Sequence, residues 1–466
     1  MKTKFTDMPR REITVKLNEP RGELSYHSHS FGVGGISSLP VPGAVSYGIR
    51  DLKPKFIRIF IQEFFFFYPK QGVFDWDKLD AYIDSVHEMG ADIMAHIAIK
   101  PKALYPTIDE NIWMPNNVEE WQNVIKALVK RYSVDKKQVT HWAVANEING
   151  GEMGGCPYKF ACPHEYFKYY KMTVEAITKV YPEAKIGGPA WAGIDNNPEE
   201  FFCKFLELVK EENLPLDFMS FNCYSDEPAE IVAAAKMFRN ITDKHDKNTK
   251  LYITELNVAL GGVHEEMAYI GARAAGLTAI LMALNDSRLL DGTFQYHIMD
   301  QNCYVPEFAP FYKITRYMAD HWNDYPHKLG LFDWDGNPRP QYFMYKLLYS
   351  MCRERVAAEW SGWEYLYTVA SRDADERITV LINNYNNYDI KNVISDVKLK
   401  NNPVGMYKLT IYRIDDEKRW DDTLNLLPIE SRDVYMAEDF AFPVYTPGNS
   451  VTLIQISRTN PPIQVS

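Results

Sequence analysis

Val139-Thr-His-Trp-Ala-Val-Ala-Asn-Glu147 is a β-rich apolar run that ends in a carboxylate, and Leu251-Tyr-Ile-Thr-Glu255 ends the same way. Counting βα units from the N-terminus puts Glu147 at the end of a fourth strand and Glu255 at the end of a seventh. In an eight-stranded α/β barrel the carboxyl ends of the strands all open onto one face, where active sites lie. Two carboxylates meeting on that face are the minimum equipment for cleaving a glycosidic bond.

That count depends on the order of elements. Strand-like runs fall at 29–35, 56–62, 92–99, 139–147, 185–191, 218–224, 251–258 and 293–300. Helical patterns with apolar residues at i, i+3, i+4 spacing lie between them, at 79–89, 118–132, 165–180 and 200–211. Leu79, Ile83, Val86 and Met89 share one such face, and Gly90 stops that helix. Alternation of this kind predicts a (β/α)8 barrel. The run Phe64-Phe-Phe-Phe67 reads as a loop packed on its neighbours. After about Cys352 the pattern changes to short β-branched or aromatic runs at 365–371, 377–383, 407–414 and 450–457, separated by Asn, Asp, Gly and Pro. These predict a C-terminal antiparallel β-sandwich. Glu12-Ile-Thr-Val-Lys-Leu17 also alternates and is expected to pair with that sheet. The expected organisation is an N-terminal strand within 1–20, a catalytic barrel over 21–352 and a sandwich over 353–466.

At 466 residues, 46% of them hydrophobic and 24% charged, the chain has ample material for a core. Its formal net charge of −11 argues against nucleic acid or an anionic membrane as partner. The most apolar run, 274–284, is far shorter than the ~20 residues a membrane span requires, and reads as a buried barrel helix. The first twenty residues contain no apolar h-region, so a cytoplasmic protein without a secretory signal is expected. Six cysteines in so long a chain do not make a disulfide framework. Cys156 and Cys162, with five residues between them, do not have the usual zinc-knuckle spacing. No metal or other cofactor is expected, a carbohydrate is the expected partner, and a homo-oligomer is compatible with the sequence.

Hydrolysis of an acetal needs a proton on the departing oxygen and support for a cationic anomeric carbon. Glu147 is the expected acid/base and Glu255 the expected nucleophile. Asn146 would lie at the same strand end as Glu147, where an amide can bind the sugar 2-hydroxyl. Arg58, a cation inside the apolar run Phe56-Ile-Arg-Ile-Phe60, needs a carboxylate partner and is expected to hold Glu255 ionised. Tyr224, ending strand six, is expected to donate to the same carboxylate.

Over most of its length the chain resembles glycoside hydrolase family 39, which contains β-xylosidases and α-L-iduronidases. The residues carrying the resemblance run in order through Phe56-Ile-Arg-Ile-Phe60, Lys100-Pro-Lys-Ala-Leu104 and Trp142-Ala-Val-Ala-Asn-Glu147. They continue through Lys185-Ile-Gly-Gly-Pro-Ala190, Pro215-Leu-Asp-Phe-Met-Ser220 with Tyr224, Tyr252-Ile-Thr-Glu255, and Gly336-Asn-Pro-Arg-Pro-Gln-Tyr342. The resemblance implies a retaining glycosidase, by default a β-xylosidase, whose acid/base and nucleophile end barrel strands four and seven. Galactoside, glucoside, arabinoside and iduronide remain alternative substrates.

Of three departures, the first leaves the acid in place and the other two bear on substrate rather than mechanism. Ile148 follows Glu147 where the family usually has Pro, and Asn222 stands where members often carry His. Strand eight reads Phe294-Gln-Tyr-His-Ile-Met-Asp300 where a Trp is usual. Tyr296 and His297 are expected to take that place in the subsite, with Trp191 and Trp113 stacking on the sugar further out. Two rival readings are a carbohydrate-binding barrel without turnover and a metal-dependent barrel hydrolase built on His27, His29 and Asp300.

Overall fold

The structure, a computed structural model, describes residues 8–24, 29–194, 197–258, 271–324, 328–361, 366–386 and 390–459. The first strand, β1 (Arg10–Glu23), is followed by the eight strands of a closed parallel barrel. These are β2 (Ser30–Gly32), β3 (Phe56–Gln62), β4 (Asp92–Ala98), β5 (Val139–Val144), β6 (Lys185–Ala192), β7 (Phe218–Tyr224), β8 (Lys250–Asn257) and β9 (Gly292–Tyr296), with β2 paired to β9. One end of the barrel is plugged by Phe56, Met94, Ala143, Phe218, Tyr252 and Phe294. These side chains come from strand positions of one parity, the inward face of a pleated sheet.

The outer helices form where the apolar spacing predicts them, at Asp77–His87, Val118–Val129, Pro163–Val180 and Pro198–Glu211, joined by Pro228–His245 and Gly271–Ser287. Three of them open on Pro163, Pro198 and Pro228, where a missing N–H costs nothing. The apolar run at 274–284 lies in Gly271–Ser287, which is buried almost throughout. A side chain at Gly276 would lie 2.9 Å from the Tyr385 ring, so glycine lets this helix sit close against the C-terminal sheet. Among the described residues no helix is long and apolar enough to cross a membrane.

Eight strands follow the barrel: β10 (Glu354–Trp360), β11 (Leu366–Arg372), β12 (Ile378–Asn384), β13 (Val393–Lys400), β14 (Gly405–Ile414), β15 (Glu430–Met436), β16 (Asp439–Thr446) and β17 (Ser450–Arg458). With β1 they make a nine-stranded sheet in the order β15-β14-β17-β12-β11-β10-β1-β13-β16. Every neighbouring pair is antiparallel except β1 with β13. Ile13, Val15 and Leu17, at alternate positions of β1, enter its core beside Val380, Leu399 and Ile454. The fold is therefore a TIM barrel with a C-terminal β-sandwich.

Several boundaries differ from the sequence pattern. The fourth barrel strand stops at Val144, because Ala145 and Glu147 take left-handed backbone (φ 67° and 43°) and turn the chain. The eighth stops at Tyr296 rather than reaching Asp300, and the first keeps only three residues. Past Val129 the predicted helix continues as a π-helical turn, Lys130–Asp135. β10, β13, β15 and β16 escape the sequence pattern because edge-like polar residues dilute their apolar content, as in Glu-Ser-Arg-Asp-Val-Tyr-Met of β15. In the four-Phe run, Phe64, Phe65 and Phe67 are buried and Phe66 is exposed.

Two strands carry one extra residue relative to β7, which lies between them. On β6 the register shifts between Gly188↔Met219 and Trp191↔Phe221. On β8 it shifts between Phe221↔Ile253 and Asn222↔Glu255. Bulges of this kind re-aim side chains and are common beside active sites.

Candidate active site

At the carboxyl end of the barrel Glu147 and Glu255 line one cavity of about 80 Å³, with Phe60, Gln62, Asn146, Tyr224 and Tyr296 among its other walls. Glu255 is buried and gripped at both oxygens. Arg58 Nη1 donates to Oε1 at 2.7 Å, and Tyr224 Oη donates to Oε2 at 2.6 Å. Burial and the nearby Glu255 charge hold the Tyr224 hydroxyl well above its ordinary pKa, so it remains a donor.

Arg58 is fully buried and committed on three sides. Besides Glu255, its Nη2 donates to Asn146 Oδ1 at 2.6 Å and its Nε to His96 Nε2 at 2.9 Å. His96 Nδ1 lies 3.2 Å from the Ala145 carbonyl, which fits a tautomer protonated at Nδ1 with Nε2 free to accept. Burial and the adjacent guanidinium push the His96 pKa well down, so the ring is neutral. The Phe60 ring lies 4.2 Å from the guanidinium carbon and closes the remaining face.

Glu147 sits in a different environment. The left-handed turn that carries it is fixed by Glu147 N–H donating to Ala190 O at 2.9 Å. Asn222 Nδ2 donates to Glu147 Oε1 at 2.7 Å, and Asn222 Oδ1 accepts from Thr254 Oγ1 at 2.8 Å, which fixes the amide orientation. Burial, and next the Glu255 charge, push the Glu147 carboxyl up to about 8. One carboxyl is thus disposed to hold a proton at neutral pH while the other faces a guanidinium and a phenol. Such a pair can protonate a leaving oxygen and support a cationic carbon.

The loop after β5 wraps this arrangement. Asn146 Nδ2 donates to Gly154 O and Gln62 Nε2 to Gly155 O, both at 3.0 Å. A side chain at Gly154 would lie 2.3 Å from Glu147 Oε2, so only glycine leaves that oxygen its place.

Other expected site residues fall elsewhere. Trp191 does not line the cavity; the extra residue on β6 turns it outward, where its ring packs 5.0 Å from Phe201 and 5.1 Å from Phe202. Trp113 packs on Phe160 at 5.9 Å and does not line the cavity either. His297 lies behind Tyr296, with its ring 5.9 Å from Trp322. Tyr296 does line the cavity, edge-on to Tyr224 at 6.4 Å.

Four contributors escape the sequence reading. Phe60 and Gln62 follow Arg58 at alternate positions of β3 and share its face, a period-two signal that was available. His96, paired in register with Phe60, is a polar residue in an apolar strand, the same signal that marks Arg58. Trp322 belongs to a π-helical turn, Asp320–Asp324, and reaches the cavity with Met318 and His321. It supplies an indole that strand eight lacks, and no local pattern marks it.

Among the described residues, the ligands expected of a metal-dependent hydrolase do not come together. Asp300 is bound by Arg339, with Nη1 at 2.9 Å from Oδ1. His29 stands edge-on to Tyr345 at 4.7 Å, before β2, and His27 lies outside the described residues. Among the described residues no group of three or more His, Cys, Asp or Glu side chains is placed to hold a metal ion, and the six cysteines are free thiols.

Comparison with known proteins adds the relatives. The chain is 27% identical to a β-xylosidase of Geobacillus stearothermophilus over 162 residues, 33% of this chain and 31% of that one. It is 30% identical to a β-xylosidase of Caldicellulosiruptor saccharolyticus over 163 residues, 32% of this chain and 31% of that one. The matched segment thus spans about a third of the length of these relatives. The fold is that of a monomeric β-xylosidase from Caulobacter crescentus, with TM-score 0.77 and 18% identity, covering 97% of this chain and 100% of that one. The family model for glycosyl hydrolases family 39 matches residues 67–423, more than half of the sequence, and the chain belongs to that family.

Proposed function

We propose that the protein is a retaining glycosidase that removes one sugar from the non-reducing end of a glycoside, with Glu147 as acid/base and Glu255 as nucleophile. The observation that carries this reading is the opposed environment of two carboxyls in one cavity. Glu147 is buried and pushed up to about 8, while Glu255 is held by Arg58 and Tyr224. In the first step a Glu255 oxygen bonds to the anomeric carbon as the bond to the leaving oxygen breaks and takes the Glu147 proton. The covalent ester removes the Glu255 charge, and with it one of the causes that raise Glu147. Glu147 is then free to take a proton from water, whose oxygen displaces Glu255 with a second inversion.

The small cavity, walled in part by Met318, His321 and Trp322, suits a terminal sugar better than an extended polymer. The two curated relatives are named β-xylosidases, which makes an aryl β-xyloside the first substrate to test. Glu255→Ala should abolish turnover of every aryl glycoside. Glu147→Ala should spare substrates with good leaving groups and recover activity with azide. Proton NMR of the first-formed product should show retained anomeric configuration; inversion, or substantial activity in Glu255→Ala, refutes the proposal.

A further inference from the structure

Gln62 is 1% exposed and lines the cavity that holds Glu147 and Glu255. Its Nε2 donates to Gly155 O at 3.0 Å, which fixes which end of the amide is which. Its Oε1 is buried and meets no hydrogen-bond donor among the described residues. Leaving such an acceptor buried and unmade is costly, so a donor is expected when the site is filled. The strand explains the placement: Arg58, Phe60 and Gln62 share one face of β3. Arg58 supports the nucleophile, the Phe60 ring covers its guanidinium, and Gln62 stands at the strand's end.

The other walls narrow what that donor can be. No arginine or lysine is among the described residues that line the cavity, and the three donor nitrogens of Arg58, the cation bonded to Glu255, are engaged by Glu255, Asn146 and His96. The imidazole in the wall, His321, is held below its ordinary pKa by burial. A sugar carboxylate would therefore meet an acceptor oxygen and two glutamates, with no arginine or lysine among the described residues of the wall to offset them. A hydroxyl can donate to Oε1, and no charge is buried in doing so.

We infer, given the site proposed above, that Gln62 is a specificity-determining residue: its Oε1 accepts a hydrogen bond from a hydroxyl of the bound sugar, and the subsite selects neutral pyranoses over uronic acids. A uronate keeps its ring hydroxyls, so the selection is electrostatic: its carboxylate would face Glu147 and Glu255 in a wall whose described residues include no arginine or lysine.

The test uses the full chain and free sugars: D-xylose, D-glucose and D-galactose against D-glucuronate and L-iduronate, with binding followed by calorimetry and saturation-transfer NMR. At least one neutral sugar should bind, and each uronate at least tenfold more weakly. Removing one hydroxyl at a time from the preferred sugar should identify a monodeoxy sugar that binds at least tenfold more weakly to the wild type. Gln62→Met should bind that deoxy sugar and its parent equally. A uronate bound as tightly as the neutral sugars, no binding of any neutral sugar, or full discrimination kept in Gln62→Met would overturn the inference. If Gln62→Met does not fold, the wild-type comparison of neutral sugars with uronates decides alone. Neutral sugars bound with the expected discrimination, but no aryl glycoside hydrolysed, would refute the glycosidase proposal and leave the role of Gln62 standing.

Discussion

Tyr224 Oη stands 2.6 Å from Glu255 Oε2, on the opposite side of the carboxylate from Arg58. The two donors leave the proposed nucleophile little rotational freedom, and a hydrogen bond to a charged group is worth about 1.5–3 kcal/mol. Tyr224→Phe should therefore lower kcat/KM on the best aryl glycoside by roughly ten- to a hundredfold with little change in melting temperature. Steady-state kinetics beside a thermal melt checks it, and unchanged kinetics would remove Tyr224 from the site.

The pH profile depends on Asn222. Glu147 must carry its proton to act as an acid, so kcat/KM should fall as pH rises through about 8. Donation from Asn222 favours the ionised carboxylate and holds that value down. Asn222→Ala should therefore move the basic limb to higher pH. A limb that stays where it was would mean that another group supplies the proton.

Glu63, at the carboxyl end of β3, is buried and pushed up to about 8 by its burial, although Lys100 N–H donates to it. In the unfolded chain the same carboxyl titrates near 4.5. Its folded value is the higher one, so the folded state binds the extra proton and stability is lost as pH rises from about 4.5 to about 8. Glu63→Gln should melt close to wild type at pH 4.5 and higher than wild type at pH 8. Thermal melts across that range decide it; equal differences at both ends would contradict the assignment.

Tyr296 and Trp322 lie 6.3 Å apart and wall the same cavity. Tyr296→Ala and Trp322→Ala should each reduce kcat/KM at least tenfold, about 1.4 kcal/mol of transition-state binding. The double variant should lose less than the sum, because the rings support one another. Additive losses would separate them.

Much of this architecture is written in the sequence as periodicity. Apolar runs of period two and 3.6 place the barrel strands and outer helices. Arg58 identifies itself, since a cation inside an apolar strand must have a carboxylate to meet. His96 and Gln62 carry the same kind of signal, but they become readable only when inward parity is followed along β3 and β4. Trp322 was illegible because its place depends on the path of a long connection, which short-range pattern does not encode. Trp191 was misread for a different reason: its strand end is aromatic in the expected place, but the side chain faces the helices.

That difference comes from the extra residue on β6, and its counterpart on β8 acts in the opposite sense for Glu255. Strand parity is a binary quantity, so these two insertions work as switches. By strict alternation from Tyr252, which plugs the barrel, Glu255 would fall at outward parity, and the extra residue near Thr254 turns it inward to Arg58. By strict alternation from Gly187, the partner of Phe218, Trp191 would fall inward, and the extra residue near Ala190 turns it out to Phe201. In this chain the count of residues along a strand, as much as their identity, decides whether a carboxylate becomes machinery or a misplaced charge.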